Sequence, residues 1–208
     1  MVTSRKIDPI EMRRRLTEAT VQCLVEFGYA GTTTLRVQDR AGVSRGALLH
    51  HFPSKADMFV AAVQRVAEQQ ARDIRAALAQ GDPTEDRVRF AISVLRSAMS
   101  GPLYLAGYEL WMAARTDDNL REVLAPYERQ VGKELRILGA EAFGPELASQ
   151  PGFSVAFEAL IELLRGQALT SILRADSARE DRVLAAWTAA FPLLCAAPQD
   201  APAPGSEG

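Results

Sequence analysis

A run of cationic and small residues, Ser44-Arg-Gly-Ala47, stands in the first quarter of the chain. Arginine has five N–H donors in a planar fork and can donate two hydrogen bonds at once to the acceptor edge of guanine. Gly46 and Ala47 would let the backbone approach such a partner closely. Lys55 follows at the start of a predicted helix, where a cation and free backbone N–H groups can meet a phosphate together. These residue types favour hydrogen bonding to base edges and phosphates.

Residues that could carry catalysis are scarce. The two histidines, His50 and His51, are adjacent and lie between this run and Lys55, which leaves no histidine elsewhere to act as a general base. No HExxH motif, CxxC motif or phosphate-holding glycine loop is present. Glu158 and Glu162 share a helix face, but without a histidine beside them they are expected to be surface or ion-pair residues, with Arg165 near. We therefore expect no enzyme, no metal site and no cofactor.

Two short helices joined by a tight turn are predicted to position the cationic stretch. Threonines 32–34 supply hydroxyl groups for a helix N-cap. A short apolar face follows at Leu35, Val37 and Ala41. Gly42 ends the first helix, Ser44 can cap the second, and Pro53 follows its end. This spacing is typical of a helix-turn-helix, and it also fits two helices that pack in an all-α core without contacting DNA.

Three motifs in this region resemble the TetR family of bacterial transcriptional repressors. They are Phe27-Gly-Tyr-Ala-Gly-Thr-Thr-Thr34, Ala41-Gly-Val-Ser-Arg-Gly-Ala-Leu48 and His51-Phe-Pro-Ser-Lys-Ala-Asp57, which together cover about residues 10–60. The resemblance implies an all-α protein. Its N-terminal three-helix helix-turn-helix DNA-binding domain would span residues 1–55. A helical ligand-binding and dimerisation domain would span 56–196, followed by a disordered tail, 197–208. Leu49 departs from the pattern, because the family usually has tyrosine there.

The predicted DNA contacts combine the chemistry of the second helix with the matching family positions. We expect Arg45 to contact a base edge and Lys55 to contact a phosphate. The family resemblance implies a phosphate role for Thr33, Thr34 and His51. The full predicted set is Thr33, Thr34, Arg36, Ser44, Arg45, Gly46, Ala47, Leu49, His50, His51 and Lys55. A basic cluster, Arg13, Arg14 and Arg15, is expected either to meet a phosphate or to lie on a solvated face.

Charge is divided unevenly along the chain. Residues 1–55 hold nine Lys or Arg against five Asp or Glu, whereas residues 56–208 hold fifteen against twenty-one. A DNA-binding head on an acidic body fits this division, although the net charge is −2. Cys23 and Cys195 make no disulfide framework, and Cys23 is expected to be buried. No signal peptide and no apolar run of about 18 residues is recognisable, so a cytoplasmic protein with no membrane partner is expected.

The last two predicted helices, at about 153–174 and 179–195, are apolar around most of their circumference. Such a helix must be covered on more than one side. It can be the centre of a single bundle or a self-association surface, and the family resemblance favours the second. We therefore expect a homodimer that binds a palindromic operator in double-stranded DNA. The residues predicted at its interface are Phe157, Leu160, Ile161, Leu164, Leu169, Trp187 and Phe191.

Large side chains between residues 99 and 112 predict an apolar pocket for a small molecule. The predicted lining is Met99, Leu103, Tyr104, Tyr108, Trp111, Met112, Leu160 and Leu164. The same residues also fit a plain core. With a pocket, the chain is a repressor that a small, apolar or aromatic effector releases from its operator. With a filled core, it is a ligand-independent DNA-binding architectural or adaptor protein whose helical body binds another protein.

Overall fold

The computed structural model describes residues 8–81, 86–174 and 176–198, and these residues form α-helices and no β-strand. The helices of the described ranges are α1 (Pro9–Gly31), α2 (Thr34–Ala41), α3 (Arg45–His51), α4 (Lys55–Ala79), α5 (Arg87–Ala98), α6 (Pro102–Ala114), α7 (Asp118–Phe143), α8 (Pro145–Ala148), α9 (Phe153–Ser171) and α10 (Ser177–Ala196). The predicted all-α fold is confirmed. Among the described helices, none is long and apolar enough to cross a membrane. The predicted disordered tail lies, from residue 199 onward, outside the described residues.

Local capping explains the turn between α2 and α3. The Thr33 hydroxyl accepts a hydrogen bond from the Arg36 amide at 3.2 Å, and the Ser44 hydroxyl accepts one from the Ala47 amide at 3.2 Å. Gly42 ends α2 in the left-handed conformation, with φ 62° and ψ 44°. Only glycine adopts this conformation without steric cost. The predicted helix-turn-helix geometry is therefore built from the expected residues.

Two compact units are distinguished by packing, and the first consists of the residues up to Asp73 together with Ser100–Lys133. Side chains from α1–α4, α6 and α7 form its core. The most fully buried are Leu16, Cys23, Val37, Leu48, Phe52, Met58, Phe59, Ala62, Leu110 and Leu120. Cys23 is thus buried as predicted, and burial raises the pKa of its thiol. Leu35 differs from expectation: it is 59% exposed, because Val37 and Ala41 carry the inward face of α2.

The second unit consists of Ile74–Met99 and the residues from Glu134 onward. Its centre holds four phenylalanine rings. Phe143 stacks on Phe191 with ring centroids 4.4 Å apart, and Phe153 stacks on Phe157 at 5.9 Å. Helix α7 approaches this cluster at Gly139, where an added Cβ would lie 2.5 Å from the Phe157 ring. A residue without a side chain is therefore needed at that crossing.

Burial within the second unit corrects the interpretation of the last two helices. Five of the seven residues predicted at a dimer interface lie in the interior of the chain itself and are at most 4% exposed: Phe157, Leu160, Ile161, Leu164 and Phe191. Of the other two, Leu169 is 42% exposed and Trp187 is half-buried. The apolar pattern of a helix indicates burial, but it does not distinguish the chain's own core from a partner. Helices α9 and α10 leave other apolar side chains at the surface: Val155, Val183, Leu193 and Leu194.

The limits of these units differ from the predicted domain limits. Helix α4 contributes Lys55–Asp73 to the first unit and its remaining residues to the second, and α7 likewise contributes to both. Because Met58 and Phe59 belong to the same core as α1–α3, packing alone does not separate residues 1–55 from the first half of α4. The functional limits at residues 55 and 196 stay predictions.

Candidate nucleic-acid interface

Helix α3, the second helix of the helix-turn-helix, has one buried and one exposed side. Leu48 is 1% exposed and anchors α3 in the core of the first unit. This orientation leaves Arg45, Gly46, Leu49 and His50 exposed. Residues four apart in a helix share a face, so Leu49 lies beside Arg45 and His50 beside Gly46. The predicted recognition helix thus presents a cation, an apolar side chain, an imidazole and accessible backbone on one surface.

Arg45 is available to a partner molecule. Its side chain is exposed, and within the described residues no hydrogen bond, ion pair or ring contact holds its guanidinium. Gly46 adds no bulk beside it, since a Cβ there would meet only the Ser44 Oγ at 4.0 Å. Two of the N–H donors of Arg45 can therefore donate to the two acceptors of a guanine edge.

The predicted basic cluster on α1 is used largely within the protein. Arg13 donates a hydrogen bond to the backbone carbonyl of His51 at 2.9 Å and lies 4.5 Å over the Phe52 ring. It therefore satisfies the C-terminal end of α3. Arg14 forms ion pairs with two glutamates of its own helix, at 2.5 and 2.7 Å. Arg15 is exposed, near the helix-turn-helix turn, and forms no hydrogen bond or ion pair among the described residues.

Arg36, predicted to contact DNA, joins α1 to α2 in the structure. Its guanidinium donates a hydrogen bond to the Gly31 carbonyl at 2.5 Å and lies 4.4 Å over the Phe27 ring. Arg40 approaches the same ring at 5.6 Å and forms an ion pair with Glu26. Since Gly31 and Phe27 hold the guanidinium, Arg36 supports the position of α2, and a DNA contact by this residue stays a prediction.

The remaining predicted contacts lie around α3. Thr33 and Ser44, the N-caps of α2 and α3, are exposed, whereas Thr34, Ala47 and His51 are half-buried. A capping hydroxyl uses an oxygen lone pair for the cap and keeps its own hydrogen for another acceptor. Thr33 and Ser44 can therefore donate to a phosphate without releasing the helix ends.

Lys55 is held between two aromatic rings rather than extended into solvent. Its Nζ lies 4.7 Å from the Tyr29 ring centroid and 5.1 Å from that of Phe59. Burial lowers the pKa of the Lys55 amine, and the negative charge of Asp117 opposes this shift. The Tyr29 hydroxyl also donates a hydrogen bond to Asp117 Oδ2 at 3.2 Å. The phosphate contact predicted for Lys55 would therefore require the ammonium group to leave this aromatic cage.

A break in α1 brings a carboxylate of α6 to the same region. Gly28 has φ 66° and ψ −176°, a conformation essentially restricted to glycine, and it interrupts the helix. The break frees the backbone amide of Tyr29, which donates to Glu109 Oε2 at 2.6 Å. Glu109 and Asp117 were not predicted from the sequence, because no local pattern marks a carboxylate about 80 residues away as the partner of this turn.

The residues predicted to line a ligand pocket fall into both units. On α6, in the first unit, Tyr104 contacts Tyr108, and Tyr108 contacts Trp111, each with ring centroids 5.3 Å apart. Met112, on the same helix, is 63% exposed. Leu103 is half-buried on α6, while Met99, Leu160 and Leu164 are buried and belong to the second unit. The pocket itself stays a prediction.

A separate cavity of about 370 Å³ lies in the second unit, near the end of α9 and the start of α10. Its lining mixes both charges and is formed by Glu162, Leu163, Gly166, Gln167, Thr170, Arg174, Asp176, Arg179, Glu180 and Val183. None of the residues predicted to bind a ligand belongs to this lining.

The two glutamates considered for metal binding are ion-paired, as expected. Glu158 lies 3.7 Å from Arg136, and Glu162 lies 2.7 Å from Arg165. Across the described ranges, no group of three or more His, Cys, Asp or Glu side chains is placed to hold a metal ion.

This chain is similar to known proteins in both its sequence and its structure. A family model described as bacterial regulatory proteins of the tetR family matches residues 16–62. An uncharacterized HTH-type transcriptional regulator of Mycobacterium tuberculosis is 34% identical over 137 residues, covering 64% of this chain and 70% of the relative. The HTH-type transcriptional repressor KstR of Mycolicibacterium smegmatis is 38% identical over 90 residues, covering 43% of this chain and 44% of the repressor.

Solved structures are similar over most of the chain. The multidrug binding protein EbrR complexed with imidazole has a TM-score of 0.61 and 27% identity, covering 84% of this chain and 93% of EbrR. A member of the TetR family from Streptomyces coelicolor also has a TM-score of 0.61, with 26% identity, and covers 85% of this chain and 98% of its own. The matched family segment includes all of α2 and α3, the helices that carry the candidate interface.

Proposed function

Because this chain belongs to the TetR family of bacterial transcriptional regulators, we propose that it represses transcription by binding a palindromic operator, from which a small molecule releases it. The observation that carries the proposal is the exposed guanidinium of Arg45 on α3, beside the small Gly46. Relatives named as repressors, such as KstR, favour repression over activation. In this proposal α3 enters the major groove, and Arg45 contacts a guanine.

Groups at the starts of α2 and α4 supply the phosphate contacts in this proposal. Thr33 and Thr34 lie at the N-terminus of α2, where unpaired backbone N–H groups and hydroxyls can meet one phosphate. Lys55 lies at the N-terminus of α4 and adds a second contact if its ammonium leaves the rings of Tyr29 and Phe59. Such contacts set the orientation of the protein on DNA but carry no sequence information.

A homodimer is expected from the small size of one helix-turn-helix. A single such module contacts few base pairs, whereas two copies related by a two-fold axis read half-sites about one helical turn or a multiple apart. The exposed apolar side chains of α9 and α10 offer a surface for pairing, notably Val155, Leu169, Val183 and Leu193. We therefore assign the proposed interface to these exposed side chains, because most of the interface residues predicted from the sequence are buried in the core of the chain itself.

The proposed effector is small and apolar or aromatic. The row of contacting aromatic rings on α6, Tyr104, Tyr108 and Trp111, supports this choice. The similar EbrR structures support it as well, because their complexes contain imidazole, ethidium and proflavin. An effector can release DNA only if it binds better to a conformation that does not fit the operator. Equal affinity for both conformations would shift nothing.

Selection of bound duplexes from a random DNA pool tests the proposal. We expect a palindromic consensus, and we expect Arg45→Ala to weaken binding to it by about 1–3 kcal/mol while relaxing preference at one base position per half-site. Arg72→Ala is the matched control, because Arg72 is also exposed but pairs with Glu68 along α4, away from α3. The control should bind like the wild type.

Three outcomes would contradict parts of the proposal. Equal losses on consensus and random DNA would show that Arg45 touches only phosphate. Failure to select any sequence would remove operator binding altogether. A consensus from which no small apolar or aromatic compound releases the protein would favour the ligand-independent adaptor, which also needs the basic helix-turn-helix.

A further inference from the structure

One side chain on the outer surface of α3 can neither donate nor accept a hydrogen bond. Leu49 is 44% exposed, whereas its neighbour Leu48 is 1% exposed. Leu49 stands on the same helix face as Arg45, with the exposed His50 next to it. The core of the first unit does not cover it, so its apolar surface is available to a molecule that α3 approaches.

The chemistry of the major groove offers one apolar partner. Phosphates and most base edges present charges, donors or acceptors, which a leucine cannot satisfy, while thymine presents its C5-methyl group. Leu49 follows Arg45 by four residues, or about 6 Å along the helix axis. That rise corresponds to no more than about two base pairs at about 3.4 Å each. A thymine close to the Arg45 contact is therefore within reach of Leu49.

We propose that Leu49 is a specificity-determining residue that reads the methyl group of a thymine within about two base pairs of the base contacted by Arg45. The inference rests on the proposed function, because it requires α3 to lie in the major groove. It extends that function by assigning one feature of the operator sequence: a thymine whose methyl group, rather than its hydrogen-bonding edge, is recognised.

Exchange of single thymines for deoxyuridine isolates this contact, because it removes the methyl group and leaves base pairing intact. In the selected operator, each thymine is replaced in turn, and the dissociation constant is measured by fluorescence anisotropy at one fixed salt concentration. For the wild type, we expect one thymine per half-site at which the exchange weakens binding about fourfold, the value for losing one buried methyl-sized group.

Two alanine variants determine which side chain contacts the methyl group. Leu49→Ala should bind the thymine and deoxyuridine operators with the same affinity, since the partner of the methyl is gone. Leu35→Ala is the matched control: Leu35 is also an exposed leucine, 59% exposed, but it lies on α2. This control should retain the fourfold difference. Circular dichroism establishes that both variants are folded, and the absence of any deoxyuridine effect in the wild type overturns the proposal whether or not Leu49→Ala folds.

The outcomes separate this proposal from the function on which it rests. If no exchange weakens wild-type binding, or if Leu49→Ala keeps the full deoxyuridine effect, Leu49 does not read a thymine methyl, although operator binding stands. If Leu35→Ala abolishes the effect instead, the contact belongs to α2 and the assignment to Leu49 is overturned. If no operator can be selected, both proposals are overturned together.

Discussion

Replacing Gly28 by alanine should strongly destabilise the first unit. Gly28 combines φ 66° with ψ −176°, where a side chain is strained. A Cβ at this position would also overlap the carboxylate of Glu109 and lie 3.1 Å from its carboxyl carbon. Either α1 must straighten or Glu109 must move away. Both responses remove the 2.6 Å hydrogen bond from the Tyr29 amide to Glu109.

The expected loss of stability is the sum of the backbone strain at position 28 and the lost hydrogen bond to Glu109. Holding a non-glycine residue in this region of backbone space costs about 1–3 kcal/mol. Loss of a hydrogen bond to a charged group costs about 1.5–3 kcal/mol. Together the substitution should lower the free energy of unfolding by about 2.5–6 kcal/mol, a large part of the 5–15 kcal/mol typical of a folded protein.

Urea unfolding followed by circular dichroism measures the change, at a fixed protein concentration because dimerisation would add to stability. Gly107→Ala is the matched control: Gly107 lies inside α6 of the same unit, and no atom stands within 4 Å of its added Cβ. The free energy of unfolding of this control should rise by up to about 1 kcal/mol, because alanine favours a helix more than glycine does.

A double variant tests the role of the carboxylate. If steric overlap with Glu109 contributes, Glu109→Ala should cost less in the Gly28→Ala background than in the wild type. A free energy of unfolding for Gly28→Ala within about 1 kcal/mol of the wild-type value would contradict this prediction, provided that Gly107→Ala is stabilised as expected. In that case the break in α1 would not depend on glycine.

Three further predictions concern DNA binding, packing and pairing. Lys55→Met keeps an apolar side chain between the two rings but removes the charge. It should lower the slope of the logarithm of the DNA-binding constant against the logarithm of salt concentration by about one unit. An unchanged slope would mean that the cage keeps the ammonium group from phosphate. Gly152→Ala should reduce stability by about 1–3 kcal/mol in urea unfolding, since its Cβ would meet backbone carbonyls at the end of α10, whereas Gly166→Ala enters open space and should not. Leu193→Glu, at a 76% exposed site, should give folded monomers in sedimentation. Leu164→Glu, at a 2% exposed site, should instead unfold or aggregate, because it buries a charge. A folded wild-type monomer at micromolar concentration would contradict the dimer.

The helix-turn-helix could be predicted because its signals are local. Gly42 ends a helix through its own backbone freedom, and Ser44 caps the next through a hydrogen bond three residues away. Each of these effects is contained within one or two turns of chain, so the order of residue types is sufficient to indicate it. The exposed position of Arg45 has the same local origin, because Leu48 is the residue of α3 that enters the core.

The uses of individual cations could not be predicted, because their partners are distant in the chain. Arg13 meets a carbonyl 38 residues away, and Lys55 lies between Tyr29 and Phe59, of which the first belongs to another helix. A sequence pattern indicates that an arginine lies on a surface, but not which acceptor the fold brings to it.

Long-range hydrogen bonds also connect α1 to α6 and to the residues just beyond it, within the first unit. Glu109 of α6 accepts a hydrogen bond from the Tyr29 amide, and Asp117, just beyond α6, accepts one from the Tyr29 hydroxyl. Tyr29 in turn forms one wall of the cage that holds Lys55. A displacement of α6 must therefore break two hydrogen bonds at Tyr29 or move α1 and the cage with it. Since α6 also carries the row of aromatic rings proposed to meet the effector, a ligand that binds one α6 position more tightly would change the energy of the Lys55 cage. The salt slope of Lys55→Met and the stability of Gly28→Ala thus report on the two ends of one connected set of contacts.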